Sequence, residues 1–147
     1  MTVGKRMGDH ESHAGEKLKP IYEPDESHRA KHRGSSEDAV LIQDDDGNLV
    51  GKCSTLIDVA CAQKLLDEGC AWSPKTHRSP LPHSVFNVFQ GIPYRAHRRG
   101  TTRFYHGFPD VQNRIPRDIR GRLREIAVAQ GTEGTFDAWM TETAKYP

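Results

Sequence analysis

Three alternating runs in the middle of the chain constrain its fold more than any other feature. Ser84-Val85-Phe86-Asn87-Val88-Phe89 puts Val85 and its i+2 neighbours on one face, as a strand does, and Gly91-Ile92-Pro93 leads into a second run from Tyr94 to Arg99. Gly100-Thr101 separates that run from Thr102 to His106, which predicts an antiparallel hairpin closed by a two-residue turn. The core available to such strands is small. The chain has 147 residues, 35% of them hydrophobic, and a mean hydropathy of −0.75, which excludes a large multidomain enzyme.

Flanking segments supply the remaining elements. Ala39 to Ile42, the Asp-Gly turn Asp44-Asp45-Asp46-Gly47-Asn48, and Leu49-Val50 read as a second hairpin. Thr55 and Asp58 match a capping box that opens a helix through about Glu68, with Gly69 as its stop, and the helical spacing puts Cys61 on the buried stripe. Trp72 to His83 holds three prolines and predicts a loop. Pro116 opens a helix with Ile119, Leu123, Ile126 and Ala127 on one stripe and Gly131 at its end; a last short helix starts at Thr135 and carries Phe136, Trp139 and Met140. Residues 1–38 contain only eight hydrophobic residues and are expected to be a disordered charged arm. The expectation is therefore a single α+β domain, 39–147, with a small antiparallel sheet packed with helices. No apolar run approaches the roughly 20 residues of a membrane span. A soluble chain is expected, cytoplasmic or delivered into a target cell as an effector, with no membrane partner.

Charge is unevenly distributed. The formal net charge is only +1, yet the segment from Ile92 to Arg124 holds nine arginines, no lysine and two carboxylates, Asp110 and Asp118. Guanidinium forms bidentate bonds to phosphate and stacks on bases, whereas an ammonium acts as a point charge. Tyr94, Phe104, Tyr105 and Phe108 are interleaved with these arginines. A two-residue turn would pair Arg99 with Thr102, Arg98 with Arg103, His97 with Phe104, Ala96 with Tyr105 and Arg95 with His106. One face would then carry Arg95, His97, Arg99, Thr102, Phe104 and His106, with the two histidines as diagonal neighbours roughly 7 to 8 Å apart at their backbones. Cleaving RNA without a metal requires a base for the 2′-hydroxyl, an acid for the leaving 5′-oxygen and cations near phosphorus; imidazole suits the first two roles and arginine the third.

The run Tyr94-Arg95-Ala96-His97-Arg98-Arg99-Gly100-Thr101-Thr102-Arg103-Phe104-Tyr105 resembles the strand-turn-strand of RelE-type toxins, which are ribosome-dependent mRNA interferases. Its continuation, His106-Gly107-Phe108 and then Ile115-Pro116-Arg117-Asp118-Ile119 with a basic helix, is similar to the HigB branch, so the resemblance spans 94–126. It implies a bacterial or phage ribonuclease toxin with an RNA substrate, ribosome association, a cognate antitoxin or immunity protein and no cofactor. The catalytic candidates are His97, His106, Arg99 and Tyr105, and the substrate-binding candidates are Arg95, Arg98, Arg103, Arg117 and Arg120.

Two other function classes stay open. A non-catalytic module could engage nucleic acid or an acidic partner protein through the same arginines. Cys53 follows Lys52 just before the predicted helix start, where a cation and the helix dipole would favour thiolate, so a cysteine-dependent hydrolase drawing on His83, His97 or His106 is the third reading. Cys53, Cys61 and Cys70 form no CxxC pair, which argues against a disulfide framework or a thiolate zinc site. The histidines of the arm, His10, His13, His28 and His32, lack the regular spacing of a metal site. Gly47 to Ser54 falls one residue short of a phosphate-binding loop, and Asp44, Asp46 and Asn48 lack the closing Glu of a calcium loop.

Overall fold

The computed structural model describes residues 19–147 as an α+β fold built on a five-stranded mixed sheet. Its strands are β1 (Ile21–Tyr22), β4 (Cys70–Trp72), β5 (Ser84–Phe89), β6 (Ile92–Arg98) and β7 (Phe104–Pro109), in the order β1-β7-β6-β5-β4. β4 to β7 form an antiparallel meander, and β1 joins β7 in parallel with Ile21 opposite Phe104. β2 (Val40–Gln43) and β3 (Leu49–Lys52) make a separate antiparallel pair. The helices are α1 (Val59–Glu68), α2 (Arg117–Gln130) and α3 (Glu133–Thr143).

Turn chemistry explains most boundaries. Asp44 Oδ1 accepts from the amides of Asp46 and Asn48, and Gly47 takes φ 82° to close the β2–β3 hairpin. Gln90 (φ 51°) and Gly91 (φ 83°) both lie in the left-handed region, which a two-residue turn between Phe89 and Ile92 requires. At the end of α2, Gly131 at φ 74° donates to the carbonyls of Ala127 and Val128.

Helices cover the sheet unequally. On one face α1 packs Leu66 against Val85 and Tyr105, with Tyr22 and Ala96 alongside. On the other, α2 and α3 bring Ile119, Leu123, Ala127, Phe136 and Met140 onto Cys70, Phe86 and Val88. β5 is therefore buried from Ser84 to Val88, while β6 and β7 are more open toward the Arg99 turn.

Four expectations are corrected. The expected disordered arm, 1–38, is overturned from Lys19 on: the amides of Ile21 and Glu23 donate to the carbonyls of Arg103 and Tyr105, and Arg103 donates back to Lys19 O, so β7's open edge orders a segment poor in apolar residues. Residues 1–18, including His10 and His13, lie outside the described residues. α1 starts at Val59, capped by Asp58, because Thr55 and Leu56 are drawn into a turn by Ser36 O and Ser54 Oγ; the buried stripe is Ala62 and Leu66, and Cys61 is only half-buried. β4, an element the pattern does not predict, ends on Trp72, the first residue of the predicted loop. A side chain at Gly69 would press within 2.7 Å of Phe86 O, so glycine there lets the chain turn from α1 directly onto β5.

The fourth correction is the hairpin register. The observed pairs are His97 with His106, Arg95 with Phe108 and Arg98 with Tyr105. Residues 99–103 form a wider turn than the predicted pair: Arg99 N–H donates to Phe104 O, and the Arg98 guanidinium holds the carbonyls of Thr101 and Thr102. The slip is two residues, an even number, so the predicted faces survive and the histidines become direct opposites.

Candidate functional site

The open half of the sheet carries a file of five imidazoles. His97 and His106 face each other across β6 and β7 with ring centroids 6.3 Å apart. His83, ending the proline-rich loop, meets His97 edge-on at 4.9 Å, and His77 lies 6.0 Å beyond it. At the other end His32, from the 3-10 turn Ala30–His32, lies parallel to His106 at 5.9 Å and stacks on Phe108 at 4.5 Å. The rings run as a row: among the described residues no three His, Cys, Asp or Glu side chains are grouped to hold one metal ion.

Burial acts on the protonation of His32, His83, His97 and His106. It holds His83, His97 and His106 below the ordinary imidazole value and pulls His32 down to about 4. His83 and Arg95 add their charges against His97, and Arg99 adds its own against His106. His106 differs from His97 in one respect, because the Glu23 carboxylate opposes the downward pull on it. His32, His77 and His83 have fixed partners in Gly51 O (2.8 Å), Leu81 O (2.6 Å) and Ser84 Oγ (2.9 Å). The Nδ1 atoms of His97 and His106 are buried and have no hydrogen-bond partner among the described residues. Both Nδ1 atoms are closed to solvent, so a reacting group would meet these half-buried rings at their open edges.

Glu23 sits at the edge of the row. Its side chain is 2% exposed and its Oε1 accepts from Arg99 Nε at 2.7 Å. Burial alone would raise this carboxyl, but the Arg99 hydrogen bond, the Asp25 amide and the charges of Arg99 and His28 outweigh it, so the group stays below its usual range. Arg99 in turn lies over the Phe104 ring, 5.8 Å from the centroid.

The other predicted residues are placed unequally. Arg95 shares the histidine face but is bound to Asp110 Oδ2 at 2.8 Å, to Arg114 O, and over the Phe86 ring. Arg98 clamps its own turn, Arg103 holds Lys19 O, and Arg120 Nε donates to Ile115 O at 2.9 Å. Arg117 is exposed at the first position of α2. Much of the predicted arginine surface is thus spent on internal carbonyls and carboxylates. Tyr105 is excluded from the catalytic set: it points to the α1 face, is 0% exposed, donates to Pro82 O, and burial lifts its hydroxyl to about 12.

Cys53 is corrected as well. The true start of α1 is six positions further on, burial pushes the thiol up to about 12 in spite of Lys52, and Sγ donates to Gly107 O at 3.2 Å. It is a half-buried, hydrogen-bonded thiol, not a thiolate nucleophile.

Glu23 and His32 went unread as site residues because both lie in the segment expected to be disordered. Their sole sequence signal is the cluster of charge and histidine between Glu23 and His32. Scans against family models, curated proteins and solved structures found no match for this chain. No helix among the described residues is long and apolar enough to cross a membrane.

Proposed function

We propose that the protein binds RNA and cleaves it with its own side chains, by 2′-hydroxyl attack on the adjacent phosphodiester. The observation that carries this reading is the direct opposition of His97 and His106 as two half-buried imidazoles near the Arg99 guanidinium. His97, held neutral by burial and by neighbouring cations, takes the 2′-hydroxyl proton. The 2′-oxygen bonds to phosphorus as the bond from phosphorus to the 5′-oxygen breaks. His106, lowered by burial but less so for the Glu23 carboxylate, gives its proton to that leaving oxygen from its protonated fraction, while Arg99 offsets the charge developing on the phosphoryl oxygens. The products are a 2′,3′-cyclic phosphate and a free 5′-hydroxyl. The likeness of 94–126 to RelE and HigB toxins supports the same chemistry, and with it a cognate antitoxin or immunity partner and a cytoplasmic or delivered site of action.

Incubating RNA with the protein in excess EDTA tests the proposal. Fragments ending in cyclic phosphate are expected, and His97→Ala and His106→Ala each abolish them. RNA bound without being cut, with a salt slope that shrinks as arginines are removed, would instead assign a binding module.

A further inference from the structure

Phe104, His106 and Phe108 stand on one face of β7, and the ring centroids of His106 and Phe108 are 6.3 Å apart. That separation suits a phosphate held at His106 and the base of an adjoining nucleotide lying on Phe108. Single-stranded nucleic acids are held in this way, with aromatic rings stacking on bases beside groups that grip the backbone. Next to Phe108 a cleft of about 250 Å³ opens, lined by Lys31, His32, Gly51, Asp110 and Arg114 among others. Lys31 and Arg114 bring cationic donors to that cleft for a base edge, while the Asp110 carboxylate is already held by Arg95 and the Val111 amide.

The face of Phe108 already carries a flat heteroaromatic ring. His32 stacks on it at 4.5 Å with an interplanar angle of 24°, and continues parallel to His106 at 14°. The imidazole is held there by one bond, from its Nδ1 to Gly51 O. The backbone of its turn is pinned separately, since His32 O accepts from Cys53 N–H at 2.9 Å. The ring can therefore swing out on its own side-chain torsions while the turn stays docked.

We infer that Phe108 and the adjoining cleft form a nucleobase subsite for single-stranded RNA, and that His32 occupies it as an internal stand-in that the incoming base displaces. This rests on the ribonuclease reading for its ligand and adds to it a place for the base and a built-in competitor. A base-stacking contribution of the usual size, about 1 to 3 kcal/mol, corresponds to roughly 5- to 150-fold in affinity.

The test uses the full chain and a short oligonucleotide methylated at every 2′-oxygen, which lacks the nucleophile, compared with the same oligonucleotide carrying one abasic position. The wild type binds the intact probe at least about 5-fold more tightly than the abasic one. His32→Ala tightens binding of the intact probe severalfold and leaves the abasic probe unchanged, a gain that a loss of folding cannot produce. Phe108→Leu collapses the difference between the probes while retaining the wild-type circular dichroism. Equal binding of both probes by the wild type, or no gain in His32→Ala, overturns the subsite. Unmodified RNA separates the two ideas: discrimination between probes without cleavage removes the catalytic reading alone, and cleavage without discrimination removes the subsite alone. Failure of every oligonucleotide to bind removes both.

Discussion

Tyr105 and His106 are neighbours in sequence and opposites in circumstance. Tyr105 faces α1, where Leu66 and Val85 close over its ring and Pro82 O accepts a hydrogen bond from its hydroxyl. Cys53 meets the same side of the strand through Gly107 O. His106 faces the side that α2 and α3 cover only toward β4 and β5, so it keeps a half-buried ring and an unpaired nitrogen. The same strand pair thus carries a sealed face and an open one. Which residue can do chemistry is decided by what the helices leave open, more than by the intrinsic reactivity of tyrosine, cysteine or histidine.

The largest expected effect separates those two faces directly. His106→Ala lowers the RNA cleavage rate by about 10²- to 10⁴-fold, the usual contribution of a general acid. Tyr105→Phe leaves the rate unchanged and costs about 1 kcal/mol in urea unfolding, for one lost hydrogen bond. A rate loss in Tyr105→Phe would break the contrast.

The next effect concerns the ion pair bordering the open face. Arg99→Ala leaves Glu23, whose side chain is 2% exposed, as a buried uncompensated charge, and urea unfolding reads a loss of about 3 kcal/mol. Glu23→Gln costs less, about 1 kcal/mol, because Arg99 is 35% exposed and can be rehydrated. Equal losses would mean that the pair is not anchored on its buried member.

Acid titration sharpens the contrast further. The folded state holds His32 at about 4 against the ordinary 6.5, and holds His83, His97 and His106 low in the same direction. Below pH 6.5 the unfolded chain takes up protons that the folded chain refuses, so stability is intact above that value and falls toward pH 4. Urea midpoints measured across this window decline for the wild type, and less steeply for His32→Ala. Cysteine labelling gives the smallest effect: iodoacetamide at pH 8 modifies half-buried Cys61 before Cys53, whose thiol is pushed up to about 12.

Much of this architecture could be read from local pattern. The alternation of β5 to β7, the Pro116 and Gly131 limits of α2 and the shared face of His97 and His106 all follow from side-chain periodicity. What escaped depended on partners far along the chain. β1 has two residues and no apolar pattern of its own; it exists because β7 offers unpaired backbone. Glu23 is buried because a guanidinium 76 positions away receives it. The register turned on Arg98 reaching the carbonyls of Thr101 and Thr102, a side-chain choice that no turn-length rule expresses. The arginine-rich composition promised a phosphate-binding surface, yet Arg95, Arg98, Arg103 and Arg120 brace the fold itself.

Gly51 shows how little room separates framework from chemistry. A methyl group there would lie 2.4 Å from Pro109 O, so β3 rests on β7 backbone to backbone, and the Gly51 carbonyl is the one that His32 grips. Enlarging that residue would shift the β2–β3 ribbon outward and carry off the anchor of the imidazole. A single hydrogen atom in place of a side chain thus sets the rest position of a ring in the row.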